Sequence, residues 1–199
     1  MKEIILYDEP RISVFENVVP IDFCNEIVEH YSNAGMNPMS GTTSRYQAVG
    51  QVTEQVENRG ISLGMKPQHV DYIADLIHNT IRLPYSHIEA IDVYNYETGQ
   101  YLDLHHDYPY EPRMIDHYKH GGDRVGTGIF WFNDNFVGGE TYFPKLDVEV
   151  IPKQGGFLYF KQSYDEATNW LTIHEGRLLT QGTKWIASCF FSDRPKVRR

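Results

Sequence analysis

The length, composition and charge of the chain exclude several classes of protein. Of its 199 residues, 18 are basic and 27 acidic, which gives a formal net charge of −9. An acidic chain is a poor electrostatic match for a phosphate backbone, so we expect no nucleic-acid partner. The apolar share of 41% is enough for one buried core. No stretch reaches the roughly 20 apolar residues of a membrane helix, so we expect no membrane partner.

The N-terminus and the cysteines indicate a reducing compartment. Residues 1–10 contain only a short apolar run followed by acidic residues, unlike a secretory signal. Cys24 and Cys189 are far apart and lack metal-type spacing, so we expect buried free thiols. The sequence therefore predicts a soluble, cytoplasmic protein.

The first third of the chain predicts short strands, a helix and a long loop. Residues 3–7 and 11–19 alternate apolar and polar side chains, which favours strands. Residues 20–34 repeat an apolar side chain every fourth position and predict a helix. Residues 37–60 are polar and without periodicity, so we expect a loop or a ragged hairpin.

A second helix is the clearest element of the sequence. Residues 67–82 place Ile73, Ile77 and Ile81 four positions apart, which forms one apolar stripe. Pro84 follows and prevents the helix from continuing.

Strand patterns dominate from residue 87 onwards. We predict polar loops at 108–123 and 162–170, where apolar alternation is missing. Many short strands separated by turn residues favour a sandwich or a barrel. The predicted strands lie at 87–96, 101–107, 124–134, 136–144, 146–151, 156–161 and 183–191.

The stretch YLDLHHD contains a His-x-Asp pair, His105 and Asp107. Residues two apart on a strand point to the same face, so imidazole and carboxylate would aim at one point. This is two thirds of the facial triad of two histidines and one carboxylate that binds Fe(II). Asp103 shares the predicted face with His105 and is an alternative ligand. His106 would point to the opposite face.

A second stretch supplies the missing histidine and a family resemblance. HEGRLLTQGTKW, residues 174–185, resembles the distal-histidine motif of the Fe(II)/2-oxoglutarate dioxygenases in their prolyl 4-hydroxylase-like branch. In that motif a lysine follows the histidine after ten residues, as Lys184 follows His174 here. RVGTGIFWFNDNFVGGETYFP (124–144) and NYETGQYLDLHHD (95–107) resemble the other two motifs of the branch.

The resemblance implies a mainly β fold with flanking helices, built on a double-stranded β-helix (jelly-roll) core. We expect a single dioxygenase domain over residues 1–199. Residues 1–86 would provide N-terminal helical support, and residues 87–192 would form the jelly-roll core.

The resemblance also implies the roles of four side chains. His105, Asp107 and His174 would bind Fe(II), and Lys184 would pair with the distal carboxylate of 2-oxoglutarate. The implied cofactors are Fe(II), the co-substrate 2-oxoglutarate, O2 and, further, ascorbate. A surface position of Lys184 remains the alternative.

Further contacts to 2-oxoglutarate are expected from Tyr96, Tyr101 and Thr141. Many prolyl hydroxylases carry a tyrosine three residues before the first iron histidine, but Leu102 stands there. Tyr96 is therefore the first candidate and Tyr101 the second. The alternatives are that both tyrosines are core aromatics and that Thr141 is a turn hydroxyl.

The substrate contacts are expected at Arg124, Tyr108 and Phe190. Arg124 opens the Arg-x-x-Thr strand of the branch, and Phe190 occupies a position where peptide-acting members carry tryptophan. The resemblance implies a prolyl 4-hydroxylase whose partner is a peptide or protein substrate containing proline. The alternatives are hydroxylation of a free amino acid or of another protein side chain, a non-catalytic jelly-roll binding module, and a Zn(II) hydrolase.

Overall fold

The computed structural model of the protein describes residues 1–33, 61–108, 123–162 and 166–195. Within these ranges the strands are β1 (Lys2–Tyr7), β2 (Ile12–Glu16), β3 (Ile61–Gly64), β4 (Ile88–Glu97), β5 (Leu102–His105), β6 (Arg124–Trp131), β7 (Val137–Gly138), β8 (Thr141–Phe143), β9 (Val148–Val150), β10 (Phe157–Lys161), β11 (His174–Gly176), β12 (Leu179–Gln181) and β13 (Thr183–Ser192). The helices are α1 (Ile21–Asn33), α2 (Pro67–Ile81) and α3 (Glu166–Leu171), and a 3-10 turn covers Tyr85–His87. None of the described helices is long and apolar enough to cross a membrane.

The strands form two main antiparallel sheets. The larger has the order β1-β2-β10-β6-β13-β4-β3, the smaller the order β5-β11-β8-β9, and β12 pairs with β7 in a short ribbon. This arrangement agrees with the jelly-roll core that the motifs implied. Strands β1 and β2, which precede the expected core, extend the larger sheet beside β10.

Two apolar clusters hold three layers together. One cluster lies between the helices and the larger sheet and includes Ile27 of α1, Ile73 of α2 and Phe130 of β6. The other lies between the two sheets and includes Trp131 of β6 and Phe143 of β8. Strand β6 is central and buried on both faces, which explains why GIFWF lacks the alternation of a half-exposed strand.

The two long helices agree with the sequence pattern. Helix α2 begins with Pro67 in its first turn and ends at Ile81, where Arg82 adopts a left-handed conformation. The N–H of Arg82 donates to the carbonyl of His78, which satisfies one terminal acceptor. Ile73 and Ile77 are completely buried, as the apolar stripe predicted.

The cysteines also agree with the sequence analysis. Cys24 and Cys189 are free and buried. Burial raises the pKa of both thiols, that of Cys24 to about 11. Both sulfurs are therefore protonated packing groups at neutral pH.

Two features differ from the predicted elements. Residues 166–171 form helix α3 where a loop was expected, because fewer than two helical turns give no detectable periodicity. Strands β3, β11 and β12 were not predicted, since three or four residues show too little alternation. The predicted loop at 37–60, and residues 109–122 of the predicted loop at 108–123, lie outside the described residues.

A close approach between strands makes Gly128 of β6 hard to replace. An added Cβ would lie 2.7 Å from Phe157 Cε2, 2.8 Å from Cys189 Sγ and 2.8 Å from Phe191 Cζ. These neighbours are themselves completely or almost completely buried, so the core has little room to adjust.

We predict that Gly128→Ala lowers the free energy of unfolding by about 1–3 kcal/mol, because overpacking forces aromatic side chains from their rotamers. Urea unfolding followed by tryptophan fluorescence measures the loss. Ile151→Ala, at a side chain that is 71% exposed, is the control and should change stability by less than about 0.5 kcal/mol. Equal stability of Gly128→Ala and the parent would contradict the packing described for β6.

Candidate active site

The three predicted metal ligands meet at one end of the smaller sheet. His105 ends β5 and His174 begins β11, and the two residues are direct partners in the antiparallel ladder. Their ring centroids lie 4.3 Å apart. Asp107 completes the group, with Oδ1 at 3.4 Å from His105 Nε2 and Oδ2 at 3.7 Å from His174 Nε2. All three ligand atoms lie within 4.8 Å of one another, close enough to share one metal ion.

Strand alternation does not place Asp107 in the cluster, although the sequence analysis expected it to. Strand β5 ends at His105, and Asp107 lies in a bend beyond it. The alternation of a regular strand therefore does not align the two side chains. His106 turns away as expected, with Nδ1 at 3.0 Å from the carbonyl oxygen of Asn169. Asp103, the alternative ligand, is not part of the three-residue cluster within the described residues.

Backbone carbonyls orient both imidazoles. His105 Nδ1 lies 2.6 Å from the carbonyl oxygen of Asp103, and His174 Nδ1 lies 3.0 Å from that of Thr172. A carbonyl only accepts, so each Nδ1 carries the proton and donates it. The lone pair of each Nε2 then points towards Asp107. This tautomer is the one that metal-binding histidines adopt, with Nδ1–H held by a second group.

The electrostatics keep the three ligands in their metal-binding forms. Burial alone would raise the pKa of Asp107, but the imidazoles of His174 and His105 and the guanidinium of Arg124 lower it below its usual value. Burial lowers the pKa of His174 to about 4, helped by His105 and opposed by Asp107. At neutral pH the group therefore contains a carboxylate and a neutral His174, as metal binding requires.

Hydrogen bonds hold Asp107 in place of a strand ladder. Thr127 Oγ1 on β6 donates to Asp107 Oδ2 at 2.7 Å. Gln162 Nε2 in turn donates to Thr127 Oγ1 at 2.7 Å. Arg124, also on β6, donates from Nη1 to the backbone carbonyl of Asp107. Both the side chain and the backbone of Asp107 are thus fixed by the larger sheet.

Arg124 is buried beside Asp107. It is 5% exposed and forms a two-pronged ion pair with Glu89, with Nη2 at 2.8 Å from Oε2 and Nε at 3.3 Å from Oε1. Its Cζ stacks 3.6 Å from the ring centroid of Phe190. Arg124 therefore holds the backbone of Asp107, and Phe190 stacks on its guanidinium. The substrate contacts of Arg124 and Phe190 stay predictions.

The predicted 2-oxoglutarate residues line one pocket beside the histidine pair. The pocket lies between the two sheets, and its walls include His174. The predicted residues on its walls are Tyr96, Tyr101, Thr141 and Lys184. Tyr96 and Lys184 are ladder partners on β4 and β13, and Lys184 Nζ lies 5.5 Å from the centroid of the Tyr96 ring.

Lys184 is a buried cation. It is 5% exposed, and Nζ donates to the carbonyl of Gly139 at 2.5 Å. Burial lowers the pKa of Lys184 to about 8, against an opposing effect of Glu140. In the described part of the chain no carboxylate forms an ion pair with it. The expectation of a buried rather than a surface lysine is confirmed, and the site suits an anion.

The sequence analysis missed three residues of this site: Glu89, Thr127 and Gln162. Thr127 was visible as the last residue of the Arg-x-x-Thr pattern but was given no role. Glu89 and Gln162 carry no motif, and only the antiparallel pairing of distant strands brings them near Asp107. Tyr108 lies beyond Asp107, and its hydroxyl is 3.3 Å from Asp123 Oδ1.

Comparison with known families agrees with the motifs and the geometry. The family model described as "2OG-Fe(II) oxygenase superfamily" matches residues 91–192, about half of the chain. The chain belongs to the 2OG-Fe(II) oxygenase superfamily. The matched region contains the two histidines, Asp107 and Lys184, so the candidate metal ligands and the buried cation of this oxygenase all lie within it.

The similarity of this oxygenase to individual relatives and solved structures extends beyond residues 91–192. A putative prolyl 4-hydroxylase of Acanthamoeba polyphaga mimivirus is 27% identical over 195 residues, which cover 94% of this chain and 76% of that protein. The viral collagen prolyl hydroxylase of Paramecium Bursaria Chlorella virus-1, solved as a 2OG complex, has a TM-score of 0.66 at 18% identity and covers 94% of this chain and 96% of its own.

A third similar protein was solved with a peptide. The prolyl hydroxylase of Trichoplax adhaerens, in complex with a fragment of the hypoxia inducible factor oxygen degradation domain, has a TM-score of 0.64 at 15% identity. The match covers 92% of this oxygenase and 83% of that chain. At these identities the two solved structures support the fold.

We predict that His105→Ala, Asp107→Ala and His174→Ala each abolish stoichiometric Fe(II) binding, because two remaining ligands hold the ion too weakly. His106→Ala is the matched control, since its ring faces Asn169 and Trp170 instead of the cluster. Anaerobic Fe(II) titration and metal analysis of the four variants measure the effect. Full iron content in His174→Ala would contradict the assignment, and so would loss of iron in His106→Ala alone.

Proposed function

We propose that the chain is an Fe(II)- and 2-oxoglutarate-dependent prolyl 4-hydroxylase that acts on prolyl residues of a peptide or protein. The observation that carries the proposal is the position of the buried Lys184 cation, which has no ion-pair partner among the described residues. It lines the same pocket as His174, one member of the histidine–aspartate–histidine cluster. The names of the relatives, which are prolyl 4-hydroxylases, support the substrate class.

The proposed iron site consists of His105, Asp107 and His174. Two neutral imidazoles and one carboxylate suit Fe(II) and occupy one side of the ion, which leaves positions for other ligands. When bound, the iron supplies the oxidative chemistry of the superfamily, with O2 and 2-oxoglutarate as the other reactants. The protein orients the ligands through the carbonyls of Asp103 and Thr172 and through Thr127.

The proposed 2-oxoglutarate site extends from the iron ligands to Lys184. The ammonium would pair with the distal carboxylate, which would neutralise the buried charge of Lys184. Apolar side chains of Ile129 and Leu179 line the walls, where they exclude water from the carbon chain. Thr141, 3% exposed, offers a hydroxyl on the same wall. Tyr96 and Tyr101 remain the candidates for a phenolic contact.

A buried lysine with no carboxylate partner among the described residues also separates this proposal from its alternatives. A Zn(II) hydrolase would use the three metal ligands but would have no use for the cation. A non-catalytic binding module would gain nothing from the oriented tautomers of both histidines. In a 2-oxoglutarate oxygenase each of these costly features has a role.

The proposed substrate is an extended proline-containing peptide. Such segments adopt a polyproline helix without internal hydrogen bonds, and aromatic grooves recognise it. Trp170 is 52% exposed and lies beside His106, with ring centroids 6.0 Å apart. Trp170 and Tyr108 are therefore the candidates for the groove wall nearest the iron ligands, since Phe190 already stacks on Arg124.

We predict that 2-oxoglutarate binding weakens as the pH rises above about 8, the pKa of Lys184 in the free protein. Only the protonated lysine can pair with the distal carboxylate, so the dissociation constant should rise about tenfold per pH unit above this value and stay flat below it. Binding to the metal-loaded protein is measured by anaerobic calorimetry from pH 6.5 to about 9.5.

Two variants control this prediction. Lys184→Arg keeps its charge over the whole range, so its binding curve should be flat across pH 8. Lys184→Ala should weaken binding on the order of 10²–10³-fold, because a buried carboxylate loses its ion partner. A flat pH profile for the parent chain, or parent-like binding by Lys184→Ala, would contradict the assignment of Lys184.

The substrate class is tested by mass spectrometry after incubation with Fe(II), 2-oxoglutarate, O2 and ascorbate. Proline-rich peptides, the same peptides with alanine in place of proline, and free proline are compared. The expected result is the gain of one oxygen, localised to C4 of a prolyl ring, in the proline-rich peptides only. Hydroxylation of free proline alone would overturn the peptide substrate, and absence of any proline product would remove proline from the proposal.

A further inference from the structure

We propose that Gln162 is a positioning residue of the iron site, which acts through Thr127 on Asp107. The inference rests on the proposed iron site and adds a residue that no motif marks. It concerns how the carboxylate is held, because β5 ends before Asp107 and provides no ladder bond there.

The three side chains form a buried chain of hydrogen bonds. Gln162 Nε2 lies 2.7 Å from Thr127 Oγ1, which lies 2.7 Å from Asp107 Oδ2. Gln162 is 2% exposed and Thr127 is 1% exposed. In such surroundings each bond is strengthened by the low dielectric, and water does not compete for the donors.

The protons available on the three side chains determine which group donates in each of these two hydrogen bonds. A carboxylate oxygen accepts, so the single proton of the Thr127 hydroxyl is donated to Asp107 Oδ2. The hydroxyl oxygen must then accept from its other neighbour. Only the NH2 group of the amide can donate there, which determines the orientation of Gln162. The amide thus locks the hydroxyl in the rotamer that faces Asp107.

This orientation of the Gln162 amide is unfavourable for its oxygen. Gln162 Oε1 is buried and has no hydrogen-bond partner among the described residues. An amide placed only for stability would have both ends satisfied or would be replaced by an apolar side chain. The amide therefore keeps the donor that faces Thr127 while its oxygen has no hydrogen-bond partner among the described residues.

The consequence for the metal is a fixed carboxylate. The hydrogen bond on Oδ2 sets the rotation of the Asp107 carboxylate, so that Oδ1 keeps its lone pairs for the ion. Oδ1 is also the oxygen nearest to His105 Nε2, at 3.4 Å. Partners of metal ligands that act in this way typically change metal affinity or activity by about 10–100-fold.

A double-mutant cycle tests the relay in the full-length chain. Co(II) is the probe, and its affinity is measured by visible absorbance titration of the parent, Gln162→Leu, Thr127→Val and the double variant. Each single variant should bind Co(II) about 10–100-fold more weakly. The double variant should be no weaker than Thr127→Val within about twofold, because Gln162 acts only through the hydroxyl. Additive losses, or parent-like affinity of Gln162→Leu, would overturn the relay.

Gln162→Glu gives a signature that packing alone does not produce. An ionised glutamate can only accept, so it would draw the Thr127 proton away from Asp107 and weaken Co(II) binding relative to the parent. A second negative charge near a cation would by itself strengthen binding, so the two effects have opposite signs. The variant and the parent are compared by Co(II) titration at the same pH. A strengthened Co(II) affinity of Gln162→Glu contradicts the proposal.

Two control variants and the parent chain separate a loss of the relay from a loss of the fold or of the iron site. Thr127→Ser retains the hydroxyl and should bind Co(II) within about threefold of the parent, even if larger changes unfold the protein. Gln154→Leu removes a side-chain amide that donates a hydrogen bond to the Phe132 carbonyl, away from the site, and should leave the Co(II) affinity unchanged. A parent chain that binds no Co(II) would overturn the proposed iron site and the relay together. Normal binding by the parent and by every variant would overturn the relay alone.

Discussion

The site depends on hydrogen bonds that hold Asp107 beyond the end of its strand. The carboxylate must lie between two imidazoles, yet β5 ends at His105. The larger sheet supplies the hydrogen bonds that the ladder of β5 does not. Thr127 bonds the side chain of Asp107, and Arg124 bonds its backbone. The jelly roll therefore contributes to the site from both sheets: one carries the histidines, and the other fixes the carboxylate between them.

Burial of a cation is the second constraint on the molecule. Lys184 lies on a central strand of the larger sheet, where desolvation opposes its charge. A protein gains little stability from such a group unless an anion binds beside it. The cation lines the same pocket as His174 of the metal cluster, which suits a ligand with a carboxylate at one end and metal-binding oxygens at the other. This shape and charge are those of 2-oxoglutarate.

The sequence predicted the parts of the molecule that repeat or that match a motif. Helix α2 followed from its apolar stripe, and the metal cluster followed from motif order, since His105 and His174 are ladder partners only in the folded sheet. The short helix α3 has too few residues to show an apolar periodicity in the sequence. The roles of Glu89 and Gln162 depend on pairing between distant strands, which no local pattern encodes. The geometry of Asp107 was predicted for a wrong reason, because strand alternation ends before it.

The most direct test of the proposed site is a crystal structure of the protein grown anaerobically with Fe(II) and 2-oxoglutarate, with diffraction recorded at the iron absorption edge. The account predicts one anomalous peak within about 2.0–2.3 Å of Nε2 of both histidines and of one Asp107 oxygen, a distance typical of such ligands. It also predicts the distal carboxylate of 2-oxoglutarate on Lys184 Nζ. An iron peak bound to Asp103, or a 2-oxoglutarate carboxylate away from Lys184, would contradict it.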